Sequence, residues 1–335
     1  MGLFGRRRAP VAELPVEGRL PTFDGAAGWL NSSPLRPADL RGKVVLVEFW
    51  TYTCINWLRT LGYVRAWAEK YADRGLVVVG VHTPEFPFEE EVDNVRRAAE
   101  DLGVDHPVAL DPDYVVWRAF ANHYWPAIYL VDAEGRIRHH QFGEGDYEGC
   151  ERVIQRLLRD AGDAPADDDL VSVTPDGLEA QADWAQLESP ETYLGSEQAR
   201  RFASPGGVAV GRSRAYVSAD PLRLNQWALA GEWAVERRAS VLQGDSGSLV
   251  LRYHARDVHL VMAPRPRGTS IPFRVILDGG PPGDAHGLDV DADGHGALLE
   301  PRLYQLIRAP GVIEDRTVEI AFLAPGAETY VVTFG

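Results

Sequence analysis

Three things are scarce in this 335-residue chain: it holds two cysteines, two lysines and two methionines. A pair of cysteines, Cys54 and Cys150, cannot build a disulfide-stapled secreted scaffold. Positive charge is also short, with 34 Lys and Arg against 49 Asp and Glu, a net charge of −15. Such an acidic chain repels phosphate, so no nucleic-acid partner is expected. No apolar run approaches the ~18–20 residues that span a bilayer, which argues against a membrane partner. Arg6-Arg7-Arg8 is followed by neither an apolar segment nor a small-residue cleavage site, so no secretory signal is read and a cytoplasmic location is expected. What remains is 45% apolar and 25% charged residues, the balance of a folded soluble protein. The length suggests about two domains.

Residues 43–161 alternate strand and helix patterns. Val44-Val45-Leu46-Val47-Glu48-Phe49-Trp50 is almost continuously apolar, as a strand buried on both faces must be. Leu58, Leu61, Ala68 and Tyr71 recur at helical spacing, and a second buried strand follows Gly75. Helices are predicted over 88–102, 111–121 and 147–160, and strands over 127–131 and 136–142. The order βαβα(α)ββα describes one central mixed sheet flanked by helices. A small, acidic, proline-punctuated stretch near 160–169 then reads as a linker. Beyond it, short alternating runs at 247–253, 258–262, 273–277, 303–306, 318–323 and 330–334 predict an all-β jelly-roll or sandwich. The boundaries drawn are a tail over 1–18, an α/β domain over 19–162, a linker over 163–190 and a β domain over 191–335.

Cys54 lies where the first buried strand gives way to a helix. Unpaired N–H groups in a helix's first turn favour negative charge, so a cysteine there is placed to act as thiolate. Around it, Val47-Glu48-Phe49-Trp50-Thr51-Tyr52-Thr53-Cys54-Ile55-Asn56-Trp57 resembles the thioredoxin superfamily, and more closely the TlpA- and DipZ-like thioredoxin domains. Gly80-Val81-His82-Thr83-Pro84-Glu85-Phe86, Tyr124-Trp125-Pro126-Ala127 and Phe142-Gly143-Glu144-Gly145 support the likeness. The β domain resembles the carbohydrate-module-like C-terminal part of DipZ proteins. The resemblance implies an α/β thioredoxin-like fold, Glu48 as a buried acid assisting proton transfer, Pro126 as a cis-proline beside the sulfur, and a protein or small thiol or disulfide as partner.

The family's Cys-x-x-Cys motif reads Cys54-Ile55-Asn56-Trp57 here. Positions i and i+3 share a helix face, and Trp57 holds no sulfur to resolve a mixed disulfide. Three readings follow. Cys54 acts as a monothiol resolved by an external thiol, with peroxide as a less favoured substrate; the fold is a redox-inactive binding or scaffold module; or Cys150 resolves Cys54. Thr51, three residues before Cys54, carries the peroxide reading, because a threonine has that spacing in peroxiredoxins. Trp57, Trp125, Thr51, Glu144 and His82 are read as lining a substrate groove, against core packing for the aromatics and a local hydrogen bond for His82.

In the β domain, Asp289, Asp291, Asp293 and Glu300 fit the formal pattern of a calcium loop, although strands flank it and the simpler reading is an acidic β-turn. No other cofactor is expected. Aromatic residues such as Trp184 and Trp227 raise glycan binding, against core filling, and a homodimer through this domain is a further alternative.

Overall fold

The computed structural model describes residues 13–162 and 168–335, so part of the tail and of the linker lies outside the described residues. The chain forms two compact units, one of residues 1–51 and 60–173, the other of residues 52–59 and 174–335. The short segment 52–59, which carries Cys54, thus groups with the β-rich part of the chain.

The first unit is built on seven strands: β1 (Gly18–Arg19), β2 (Gly28–Leu30), β3 (Val44–Trp50), β4 (Leu76–His82), β5 (Val108–Leu110), β6 (Ala127–Val131) and β7 (Arg136–Phe142). Their order is β1-β7-β6-β3-β4-β5-β2. β3, β4 and β5 run parallel, and the other pairs are antiparallel. Four helices complete it: α1 (Ile55–Tyr71), α2 (Val92–Asp101), α3 (Val115–Ala119) and α4 (Tyr147–Asp160). β3 is buried at every position because both sheet faces are covered. Val44 and Leu46 pack with Val64, Trp67 and Tyr71 of α1 and Ile154 and Leu158 of α4. Val45, Val47 and Phe49 face Val116, Trp117 and Phe120 on the other side.

The main strands and α4 fall where the pattern put them. α3 is shorter than the predicted 111–121, because Asp111 stands outside it and takes N–H groups from Val116 and Trp117 (3.0 and 2.8 Å). β1, β2 and β5 are too short for a periodicity to register. From residue 13 onward the expected tail is tied down: β1 pairs with β7, and Arg138 donates to the carbonyls of Leu14 and Pro15.

The second unit carries ten strands: β8 (Thr192–Tyr193), β9 (Ser213–Tyr216), β10 (Trp227–Val235), β11 (Ser240–His254), β12 (Asp257–Pro264), β13 (Ile271–Leu277), β14 (His295–Leu298), β15 (Arg302–Arg308), β16 (Asp315–Phe322) and β17 (Ala327–Phe334). All paired strands are antiparallel. The long β11 pairs with β17 at its start and with β16 further on, which joins the strands into one sheet with the path β14-β13-β16-β11-β17-β12-β15. Leu249 and Leu251, Leu260 and Met262, Tyr304 and Leu306, and Ile320 and Phe322 converge on a single core, each pair spaced by two. Trp227 and Trp233 are in that core, as core filling requires, whereas Trp184 is exposed.

Within the expected linker, Val171 is docked on α4. Glu151 of α4, buried, accepts from Trp67 Nε1 (3.2 Å), Tyr71 Oη (2.6 Å), Lys70 Nζ (3.3 Å) and the Val171 backbone N–H (2.9 Å). Replacing Glu151 by Leu strands several buried donors. It is expected to lower stability by roughly 3 kcal/mol, at ~1–3 kcal/mol per unsatisfied group, read by urea unfolding.

Candidate functional site

Cys54 occupies the N-cap of α1: its carbonyl accepts the first helical bond, from the Leu58 N–H at 3.0 Å. Its side chain is neither fully exposed nor buried, and it forms no disulfide. No acidic residue occupies the first turn of α1. Trp57, one turn on, is completely buried. It therefore fills the space of a core residue and presents no open wall, which corrects its reading as a groove residue. Cys54 and Trp57 group with the second unit; Glu48, Thr51, His82, Trp125, Pro126 and Glu144 belong to the first.

Glu48 sits in the middle of β3 with no exposure. Alternation along the strand sends its side chain to the face that carries Val44 and Leu46. His106, from the turn before β5, reaches Glu48 with Nε2 3.0 Å from Oε1. Gly80 stands opposite Glu48 in β4. A Cβ built there would lie 2.7 Å from Trp50 Nε1 and 3.2 Å from His106 Nε2, so only glycine leaves room for these rings. No sequence signal pointed to His106, since 58 residues separate it from Glu48 and only strand pairing brings them together.

The Trp125–Pro126 peptide is cis. Phe49 pairs with Ala127, so Pro126 lies at the end of the sheet where β3 runs on toward Thr51. The Pro126 carbonyl accepts from the Gly143 N–H at 2.8 Å, which brings the Phe142-Gly143-Glu144-Gly145 turn to the same edge. Glu144 is half-buried there. Trp125 is also half-buried; it donates to the Thr83 carbonyl at 3.1 Å and packs on Trp117 at 4.3 Å between centroids.

Thr51 is inside the protein and His82 is only 2% exposed. His82 sets its ring edge-on to Trp50, centroids 4.8 Å apart, and borders a 250 Å³ cavity with Trp29, Val95 and Leu110. Burial holds its pKa down at about 3, so it is neutral at ordinary pH. Cys150 is in the core with Ile154 and Leu157, 3.9 Å from His139 Nε2. Burial first, and Asp146 second, push its thiol up to about 12, the opposite of what a resolving thiol needs.

The acidic residues of the β domain are not gathered into a metal site. Asp289 accepts from Arg302 Nη2 at 2.6 Å and from the Gln305 N–H at 2.7 Å. Asp291 accepts from the His295 N–H at 2.8 Å, and Glu300 lies 3.4 Å from Arg302 Nε. Among the described residues no group of three or more His, Cys, Asp or Glu could hold a metal ion. Asp291 closes the turn before β14, and Asp289 and Glu300 pair with Arg302, which argues against the calcium-loop reading. Likewise, no described helix is long and apolar enough to cross a membrane.

A parallel-centred sheet between helices, with a cis-proline opening the antiparallel strand β6, defines a thioredoxin fold. Comparison with known proteins agrees. Residues 15–155 match the redoxin family, and residues 189–335 match the family described as thioredoxin like C-terminal domain. The chain is 40% identical over 275 residues to protein DipZ of Mycobacterium bovis and of Mycobacterium tuberculosis, covering 81% of this chain and 38% of each of those proteins. It is 30% identical over 139 residues to thiol-disulfide oxidoreductase YkuV of Bacillus subtilis, covering 42% of this chain and 93% of that one. The chain belongs to the thioredoxin superfamily, in the redoxin group that includes thiol–disulfide oxidoreductases. It spans well under half the length of the DipZ proteins.

Three outcomes are expected from these groups. Iodoacetamide at pH 8 modifies Cys54 in the folded protein and spares Cys150, which reacts only after denaturation; peptide mass spectrometry reads both. A folded-state pKa raised to about 12 also means that the stability Cys150 confers is intact below the ordinary thiol value and is lost as pH rises toward about 12. His82 and the equally buried His259 both sit near 3, below their ordinary value, so their stabilisation is present above about 6.5 and is lost as pH falls. Urea unfolding between pH 7 and 4 should show stability falling by up to about 1.4 kcal/mol per pH unit for each, and His259→Gln should flatten the slope.

Proposed function

We propose that this protein carries out thiol–disulfide exchange as a monothiol, with Cys54 as the nucleophile and an external thiol as the resolving partner. The observation that carries the reading is the pairing of a partly exposed N-cap Cys54 with a buried Trp57 at the position of a second thiol. In the first step the Cys54 thiolate attacks one sulfur of a disulfide. A Cys54–sulfur bond forms, the disulfide breaks, and the other half leaves as a thiolate that takes up a proton. In the second step an external thiolate attacks the captured sulfur, forms a new disulfide with it and releases Cys54 as thiolate. Glu48 serves as the proton relay and Pro126 borders the partner backbone, as the resemblance to thioredoxins implies. The partner is a protein or low-molecular-weight thiol or disulfide, in keeping with the similarity to YkuV, a thiol-disulfide oxidoreductase by name.

The competing reading is a redox-inactive binding module, favoured by the same buried Trp57, which removes the two-thiol shuttle. Stopped-flow reaction with an aromatic disulfide probe separates the two. Under the monothiol reading, the native protein releases one equivalent of thiol well above the rate of the urea-unfolded chain. Cys54→Ser abolishes the release and Cys150→Ser leaves it intact. Insulin is not reduced over many turnovers unless a monothiol such as glutathione is added. A Cys54 that reacts no faster folded than unfolded establishes the binding module instead.

A further inference from the structure

Arg59 is a charged side chain only 1% exposed. A guanidinium never sheds its proton in a protein, so burying one requires acceptors and a counter-charge. Arg59 lies in the second turn of α1, five residues beyond Cys54. Its Nη2 donates to the carbonyl of Phe334, the last residue of β17, at 3.2 Å. A Cβ built on Gly335 would collide with Arg59 Nη2 and lie 3.2 Å from Asp257 Oδ2, so the guanidinium and that carboxylate converge on the same spot. Asp257 has no exposure either. It pairs with Arg308 (Nε 2.8 Å) and Arg256 (Nη2 2.6 Å). Burial pushes its carboxyl up, and the hydrogen bonds from Arg308 and Arg256 outweigh this, so it remains ionised. His259, two residues along β12, is held neutral by burial and by the charge of Arg59, so it adds no competing cation.

This hub ties the start of α1 to β12, β15 and β17. Asn56 adds a second tie, with Nδ2 3.4 Å from Glu191 Oε1. The N-cap bond from Leu58 to Cys54 makes the segment one rigid turn, so fixing Arg59 fixes Cys54.

We infer that Arg59 is a positioning residue for Cys54, and that the β strands holding it, through Phe334 and Asp257, are a working part of the thiol site. The inference rests on the reading of Cys54 as a nucleophile. It assigns to the C-terminal β structure a task in the chemistry of the thiol, separate from any ligand it binds.

Two measurements on the full chain test it. First, hydrogen–deuterium exchange of the unmodified protein in increasing guanidinium chloride: the amides of 52–59 are expected to open together with those of 327–334, at the same denaturant dependence. Opening of 52–59 while 327–334 stays protected overturns the anchor, and this arm needs no variant to fold. Second, the disulfide-probe rate of Arg59→Met, in protein shown by near-ultraviolet circular dichroism to be folded, is expected to fall by about tenfold or more, as loss of orientation does. Arg59→Lys, which keeps a donor and a charge, should recover part of that loss. A folded Arg59→Met with a native Cys54 rate and only a lower melting temperature would falsify the positioning role and leave Arg59 structural. A native Cys54 that is itself unreactive defeats the redox reading instead, while the exchange experiment still decides the anchor.

Discussion

β3 is the constraint on which the first unit depends. All seven of its residues are buried, so every side chain must find its partners inside the protein. For five apolar residues that means packing against α1 and α4 on one face and the α3 region on the other, while Trp50 sets its ring against His82. For Glu48 it means a polar partner within reach, because a carboxylate taken from water without one is costly. His106 Nε2 comes to 3.0 Å from Glu48 Oε1, and the missing side chain at Gly80 makes the approach possible. The same strand delivers the chain to the loop that ends in Cys54, so one element sets both the acid and the start of the thiol-bearing helix.

The second unit solves a similar problem with opposite charge. Asp257, wholly buried, gathers Arg256 and Arg308, and Arg59 enters the same cluster. Such a group is directional as well as stabilising, since planar guanidinium groups bind only along set lines. Where a two-thiol protein would place a reacting sulfur, this chain places the buried ring of Trp57. The segment from Tyr52 to Arg59 is therefore largely interior, with Cys54 and Asn56 its partly open points. One helical turn beyond Cys54 there is thus an aromatic ring and no second sulfur.

Much of this was legible along the chain. The strands with continuous or alternating apolar residues and helix α4 stood out because burial imposes a period on sequence. Cys54 stood out because of the residues around it, and Pro126 because of its loop. The strands β1, β2 and β5 left no trace, since two or three residues carry no period. The groove expectation failed at Trp57 and Thr51 for a different reason: a residue next to a reactive position in sequence can point into the core as readily as out of it, and both are fully buried. The calcium pattern failed because ligand spacing says nothing about competing cations, and Arg302 already occupies Asp289.

The sequence by itself determined the two-part architecture, the thioredoxin resemblance and the absence of a second thiol three residues after Cys54, because these depend on local pattern and residue type. Only the tertiary structure decided that His106 partners Glu48, that Cys150 is sealed in the core, and that Arg59 is gripped by strands more than 190 residues further along the chain. Those are long-range meetings of single side chains, and they leave no periodic mark because each depends on strand register and on how much room a distant residue, such as Gly80, leaves open.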